Sequence, residues 1–282
     1  MIEPPERDVV ELIARALDED LGPGDITTAA CVPEDASARG RFLARQDLVV
    51  AGLELLPLIY ELEPETPYAS GAQVRCGEVI ATMAGPARRL LERERVALNF
   101  LQHLSGIATH TRRFVDAVAG TGVTILDTRK TTPGLRRLEK QAVVAGGGAN
   151  HRLGLYDAVL IKENHVAAAG GIRRAVEAAR RATASVQAQV EVRHPQELAE
   201  ALDAGAARVL LDNMTPEQVR AAVALVRERA GRDRVLLEVS GGITLANVRD
   251  YALAGPDYIS VGAITHSAPA ADISFLLDGI CG

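Results

Sequence analysis

The chain has 282 residues, 48% of them apolar and 24% charged, with a formal net charge of −6 at pH 7. That length exceeds one minimal core and suits a large α/β unit with a smaller second domain. The acidic balance and the lack of tryptophan argue against general nucleic-acid binding, and no apolar run approaches the ~18 residues that cross a bilayer.

The chain opens with the acidic Met1-Ile2-Glu3-Pro4-Pro5-Glu6, which lacks the basic and apolar segments of a signal peptide. Cys31, Cys76 and Cys281 are scattered and fit neither a disulfide framework nor a CxxC metal site, so a reducing cytoplasm is the expected location. Val9, Val10, Leu12, Ile13, Ala16 and Leu17 recur at helical spacing, with Asp8, Glu11, Arg15 and Asp18 on the other side, which predicts an amphipathic helix. The glycines and proline of EDLGPGDITT end it. Residues 37–52 and 72–84 read as short strands of a small antiparallel sheet. LELLPLIYEL between them predicts a helix with Pro57 in its first turn. From Arg88 to Ala119 the pattern is one long helix, or two broken near Gly106.

After residue 120 six apolar runs, VTILDT, DAVLIKENH, AQVEVR, RVLLDN, VLLEVSGG and YISVGA, alternate with helical segments. They end near Asp127, Lys162, Glu191, Asp212, Ser240 and Gly262, 21–35 residues apart, about one βα unit each. Continuously apolar strands in such units imply a parallel sheet covered by helices. All six ends carry polar or glycine-bearing segments. A barrel brings every strand end to one mouth, whereas a doubly wound sheet uses only those beside its switch point, so a barrel is favoured.

At that mouth Thr128, Arg129, Lys130, His151, Arg152 and Lys162 would meet Glu191 and Asp212, with the loops Ser240-Gly241-Gly242 and Val261-Gly262-Ala263 completing the ring. The loops precede helices, so backbone N–H groups could hold phosphate. Taken singly, each element has a plainer reading. Arg129 and Lys130 would be solvated. Glu191 and Asp212 would pair with barrel lysines. GGGANHR would be a helix C-cap, and no strand precedes it as in a dinucleotide fingerprint. His103, His110 and His194 read as structural or surface residues, and His165 as packing around the site. Joint placement on successive strand ends favours a cationic site for a polyanion within an acidic chain.

The segment DTRKTTPGLRRLEKQAVVAGGGANHRLGLYDAVLIKENHV closely resembles the central signature of the quinolinate phosphoribosyltransferase family. EDLGPGDITT, ERVALNFLQHLSGIATHT, VEV, LLDNM, EVSGGI and YISVGAITHS resemble it too, in order over nearly the whole chain. The resemblance implies an N-terminal open α/β sandwich domain over 1–105, joined by 266–282, and an incomplete, seven-stranded α/β barrel of TIM type over 106–265. It implies transfer of phosphoribose from phosphoribosyl pyrophosphate to quinolinate, giving nicotinate mononucleotide, pyrophosphate and CO2 with Mg²⁺. Carried over by motif, substrate binding falls to Arg95, Thr128, Arg129, Lys130, His151, Arg152, Lys162, Glu191, Asp212, Ser240, Gly241, Gly242, Val261, Gly262, Ala263 and His266. Among these Lys130, Lys162, Glu191 and Asp212 are the catalytic candidates. Glu191 and Asp212 would hold Mg²⁺ through water and substrate oxygens. The family pattern also implies a homodimer or larger homo-oligomer in which Arg95 serves the neighbour's site, and no nucleic-acid or membrane partner. Gln189 stands where some relatives have Glu, which predicts altered packing behind the site without loss of activity.

Other readings stay open at this stage. One is a related phosphoribosyltransferase acting on another pyridine or heterocyclic acid; a molybdenum-transport-associated relative is disfavoured by IKENH after HRLGL. Others are a Schiff-base aldolase using Lys162 and a non-catalytic anion-binding protein.

Overall fold

The structure is a computed structural model and describes residues 7–182, 188–229 and 235–281, with side chains through Asp278. The acidic N-terminal hexapeptide and the Cys281 side chain lie outside the described set. The chain begins with α1 (Arg7–Leu21), α2 (Ile26–Cys31), β1 (Ser37–Ala44) and β2 (Leu48–Val49), followed by a 3-10 turn at Leu53–Leu55 and α3 (Leu56–Tyr60). Next come β3 (Gln73–Val74), β4 (Val79–Pro86), α4 (Ala87–Ala117), β5 (Thr124–Leu126), α5 (Arg136–Ala145) and β6 (Leu160–Ile161). The remainder is α6 (Glu163–Ala169), α7 (Ile172–Ala182), β7 (Gln189–Val192), α8 (Pro195–Asp203), β8 (Arg208–Asp212), α9 (Pro216–Arg229), β9 (Leu236–Ser240), α10 (Val248–Leu253), β10 (Tyr258–Ser260), α11 (Ala263–His266) and β11 (Ile273–Cys281). Among the described residues no helix is long and apolar enough to cross a membrane.

Two compact units result: Met1–His110 with Pro133–Gly147 and Ala268–Gly282, and Thr111–Thr132 with Gly148–Ser267. In the first, β1 lies between β11 and β4 in an antiparallel sheet, and β2 pairs with β3. The alternate residues Ala38, Gly40, Phe42 and Ala44 of β1 are buried, as expected of a strand with one face on a core. Phe42 lies 4.8 Å from Phe275 and 6.2 Å from Tyr60, ring centre to ring centre. A side chain at position 40 would collide with the Phe275 ring, so glycine lets that ring lie across β1. Pro57 occupies the first turn of α3, where its missing N–H costs nothing.

The segment 87–117 is one unbroken helix. Gly106 does not end it. A Cβ there would strike the carbonyl oxygen of Pro269 and come within 3.0 Å of the Ala270 Cα. The neighbouring Ala271 N–H donates to the Gln102 carbonyl at 2.9 Å, so the glycine admits a close backbone approach. The segment 133–147, bearing α5, also belongs to the first unit, although it lies inside the range 106–265 assigned to the barrel from sequence. It is tied to α4 there: His103 Nε2 lies 2.9 Å from Oε1 of Glu139, whose side chain is inaccessible to solvent.

The second unit holds a parallel sheet in the order β5-β10-β9-β8-β7-β6. Seven strands were expected; six are present among the described residues, with a single parallel bridge between Leu126 and Ala149. The Ala149 N–H donates to the Ile125 carbonyl at 2.8 Å, and the Asp127 N–H donates to the Ala149 carbonyl at 3.1 Å. Three glycines, Gly146, Gly147 and Gly148, precede that bridge and oppose extension into a strand. Register aligns Asp212 with Ser240 and Ser240 with Ser260, so β8, β9 and β10 end at one level.

Candidate active site

The C-terminal ends of these strands surround a cavity of about 590 Å³. It is lined by Thr128, Arg129, Lys130, His151, Arg152, Lys162, Glu191, Asp212, Ser240, Gly241, Gly242, Val261, Gly262, Ala263 and His266, joined by Leu160, Leu210, Glu238, Ile243, Thr244 and Ser260. Every site residue expected from sequence is among them except Arg95, which is exposed on α4 in the first unit.

The cationic side is built from β5 and the Gly148–Arg152 segment. Apolar Ile125 and Leu126 bury the strand, and Asp127 follows with no exposure. Its Oδ1 accepts the His151 N–H at 2.8 Å, which ties the His151–Arg152 peptide to the end of β5. The Thr128 hydroxyl accepts the Lys130 N–H at 3.0 Å, and the Thr265 hydroxyl donates to the Lys130 carbonyl at 2.8 Å, so the Arg129–Lys130 turn is held from two sides. Arg152 Nη1 donates to the Ala158 carbonyl at 3.0 Å. Burial, and next the positive charge of Arg129, push the Arg152 guanidinium below its ordinary value, while Asp157 opposes them. Two guanidinium groups close enough to oppose each other's charge form a ready site for an anion.

The opposite side carries the carboxylates. Lys162 Nζ lies 3.2 Å from Glu191 Oε2, linking the ends of β6 and β7. Lys162 caps α6, and its N–H donates to His165 Nδ1 at 2.9 Å, so His165 positions the lysine's backbone. Asp212 Oδ2 accepts from Asn213 Nδ2 at 2.9 Å and lies 3.8 Å from Arg193 Nε. Arg193 also pairs with Glu163. His103 has the structural role expected of it, and His194 accepts the Glu197 N–H at the start of α8. Lys162 thus faces a carboxylate within the cavity.

The glycine loops differ from the expectation in one respect. Gly262 directly caps the short helix α11, but Gly242 is followed by a turn, and α10 begins only at Val248. In that turn Asn247 accepts the Thr244 N–H at 2.8 Å and donates to the Gly242 carbonyl at 3.0 Å. The Ser240–Gly242 loop therefore offers loop amides without a helix dipole behind them. Gly241 and Gly242 have φ of +99° and +63°, and a Cβ at 241 would strike the Asn213 side chain. Glycine is required there to bring the backbone against its neighbour.

Three contributors were missed in the sequence: Asp127, Thr265 and Glu238. Asp127 and Glu238 left a trace, each being a lone acid in an otherwise apolar strand run. Glu238 is 1% exposed. Its Oε2 accepts from Gln189 Nε2 at 2.8 Å and lies 3.4 Å from His151 Nε2 and 3.7 Å from Arg208 Nη2, while Oε1 is buried without a hydrogen-bond partner. Desolvation acts to raise its pKa, but His151, by hydrogen bonding and charge, together with Gln189 and Ser260, outweighs it and holds the carboxyl below the ordinary value. Gln189 is itself buried, and its amide donates to Glu238.

Residues 25–105 match the family model for the quinolinate phosphoribosyl transferase N-terminal domain, and residues 107–276 that for its C-terminal domain. The carboxylating nicotinate-nucleotide pyrophosphorylase of Mycobacterium leprae is 44% identical, over 93% of this chain and 95% of its own. A protein of Bacillus subtilis named as a probable carboxylating nicotinate-nucleotide pyrophosphorylase is 42% identical, over 91% of this chain and 89% of its own. The solved nicotinate-nucleotide pyrophosphorylase of Francisella tularensis matches with a TM-score of 0.91 and 36% identity, over 98% of each chain. With both domain models matched in order, and with the cationic pocket and facing carboxylates in place, the chain belongs to the quinolinate phosphoribosyltransferase family.

Proposed function

We propose that the barrel cavity joins quinolinate to phosphoribosyl pyrophosphate, with Arg129 and Arg152 together in its lining as the observation that carries the residue assignment. The reaction yields nicotinate mononucleotide, pyrophosphate and CO2, the carboxylating nicotinate-nucleotide pyrophosphorylase activity of de novo NAD biosynthesis.

Quinolinate brings two carboxylates on adjacent ring carbons, and planar guanidinium forks bind carboxylates in bidentate fashion. Arg129 and Arg152, with His151 and Lys162 beside them, receive this dianion. The Ser240–Gly242 and Val261–Ala263 loops take the 5′-phosphate on backbone N–H groups, and Lys130 with His266 takes the pyrophosphate end. The pyridine nitrogen then attacks the anomeric carbon as the carbon–oxygen bond to pyrophosphate breaks. The sugar becomes cation-like and the leaving group anionic. Glu191 and Asp212 stabilise the first, and the fixed cations stabilise the second. The product nitrogen is a quaternary pyridinium. It holds the electron pair left on the adjacent ring carbon when the carboxylate departs as CO2, and a proton from water replaces it. Neither bond-breaking step needs a general base.

Mg²⁺ belongs to the proposal. Among the described residues no group of three or more His, Cys, Asp or Glu side chains could hold a metal by itself. Two carboxylates at the cavity, Glu191 and Asp212, match the habit of this ion, which is bound by one or two carboxylates plus substrate phosphates and water. When bound it would neutralise pyrophosphate charge.

The proposal extends to a homodimer or larger assembly in which Arg95 reaches a neighbour's cavity, and to a cytoplasmic location. The decisive assay supplies quinolinate, phosphoribosyl pyrophosphate and Mg²⁺ and measures pyrophosphate and CO2. Equal amounts of both, with nicotinate mononucleotide, are expected; pyrophosphate without CO2 would reject the decarboxylating reading.

A further inference from the structure

The buried network behind the cationic side has a role that ion pairing alone does not explain. Glu238 sits midway along β9, opposite Leu210 of β8 and Tyr258 of β10. Gln189 and Arg208, at the starts of β7 and β8, approach its Oε2 from within the sheet; Gln189 Nε2 donates at 2.8 Å and Arg208 Nη2 stands 3.7 Å away. The Arg208 guanidinium is placed in turn over the Tyr258 ring, 5.1 Å from its centre. On the cavity side His151 Nε2 lies 3.4 Å from the same oxygen, and only 12% of the His151 side chain is exposed. The other ring nitrogen, Nδ1, accepts the Arg152 N–H at 2.7 Å. A ring whose Nδ1 accepts carries its proton on Nε2, which here faces Glu238.

We propose that Glu238 is a positioning residue for the transfer reaction: anchored by Gln189 and Arg208, its carboxylate orients the His151 imidazole, and the ring in turn fixes the Arg152 backbone at the quinolinate end of the cavity. The inference rests on the assignment of His151 and Arg152 to quinolinate made above. A carboxylate so deeply buried is a poor device for stability, because well-packed apolar residues in place of a buried ion pair are often as good or better. Retention of Glu238 inside an apolar strand follows if an aligned acceptor is needed behind the imidazole, as partners behind a functional histidine fix its tautomer and orientation.

The test exploits the amide–carboxylate pairing of Gln189 and Glu238. E238Q removes the carboxylate, and the double variant E238Q/Q189E restores one carboxylate and one amide but moves the charge to position 189. Steady-state kinetics with each substrate varied are measured with thermal unfolding. E238Q should raise the KM for quinolinate about tenfold, the scale of one hydrogen bond to a charged group, and leave the KM for phosphoribosyl pyrophosphate within about twofold. The double variant should regain the melting temperature and retain the raised quinolinate KM. In an H151A background, E238Q should add no further change in quinolinate KM. Recovery of both properties in the double variant would make Glu238 a structural partner of Gln189 only and overturn the proposal, as would an unchanged quinolinate KM in folded E238Q. If E238Q fails to fold, the double variant decides by the same criterion. R152A checks the underlying assignment separately: a normal quinolinate KM there rejects the placement of quinolinate whatever Glu238 does.

Discussion

Lys162 Nζ and Glu191 Oε2 lie 3.2 Å apart across the ends of adjacent strands, with the lysine half-exposed and the carboxylate 9% exposed. In the proposed reaction the lysine serves the substrate anions and the carboxylate the sugar. Replacing Glu191 or Asp212 by its amide keeps the size and removes the charge. Glu191→Gln and Asp212→Asn should each lower kcat by about 10²–10³-fold, the usual loss on removing one electrostatic stabiliser of a transition state, with little change in quinolinate affinity. Steady-state kinetics at saturating Mg²⁺ measure this, and near wild-type turnover in both variants would remove them from the mechanism.

Arg152→Ala should weaken quinolinate binding by ~2–5 kcal/mol, the range for breaking a desolvated charge pair, and change phosphoribosyl pyrophosphate binding much less. Calorimetry with each ligand alone separates the two. Equal losses would place Arg152 elsewhere than at the quinolinate carboxylates.

Arg95 is exposed on α4, and the cavity is lined by residues of the second unit. If a neighbour supplies Arg95, mixing inactive Arg95→Ala and Lys130→Ala chains should restore activity. One site of each mixed dimer is then intact, giving about one quarter of wild type for random pairing. Subunit exchange is verified by mass; exchange without activity refutes the shared site.

Gly106→Ala tests the close approach on α4. Alanine is the better helix former by up to ~1 kcal/mol, yet its Cβ would meet the Pro269 carbonyl. Overpacking of this kind costs ~1–3 kcal/mol, so a net fall in melting temperature is expected. A rise would mean that the 268–271 segment yields.

Asp157 braces the loop carrying Arg152, accepting the Leu153 and Gly154 N–H groups at 2.6 and 3.0 Å. Desolvation acts to raise its pKa, but these hydrogen bonds, and then the Arg152 charge, hold it below the ordinary value. A depressed carboxyl pKa stabilises the fold above the unfolded value of about 3.9, and that contribution is lost as pH falls through the folded value. Asp157→Asn should therefore be less stable than wild type at neutral pH, with the difference shrinking below about pH 4. A difference independent of pH in denaturant titrations would exclude the charge as its source.

Local pattern determined the six strand ends and the residues on them, because a buried parallel strand must be apolar and its polar terminus is then visible in sequence. Thr128 to Lys130, Lys162, Glu191 and Asp212 were legible on that ground, and the resemblance added Arg95, His266 and the chemistry. Other features depended on contacts between distant segments. β1 pairs with β11, where Arg41 meets Asp278, 237 positions away, and no local periodicity announces a partner so remote. Gly106 reads as a helix break until the Pro269 carbonyl is found against it. The segment 133–147 sits among barrel repeats yet is held elsewhere by the buried Glu139. Glu238 is one charge in an apolar run; only the pairing of β7, β8, β9 and β10 brings Gln189, Arg208 and His151 to it. Sequence specifies which side chains a strand carries, whereas strand order and register decide which of them meet, and burial then makes each meeting matter, since an ionised group removed from water must find its partners within the fold.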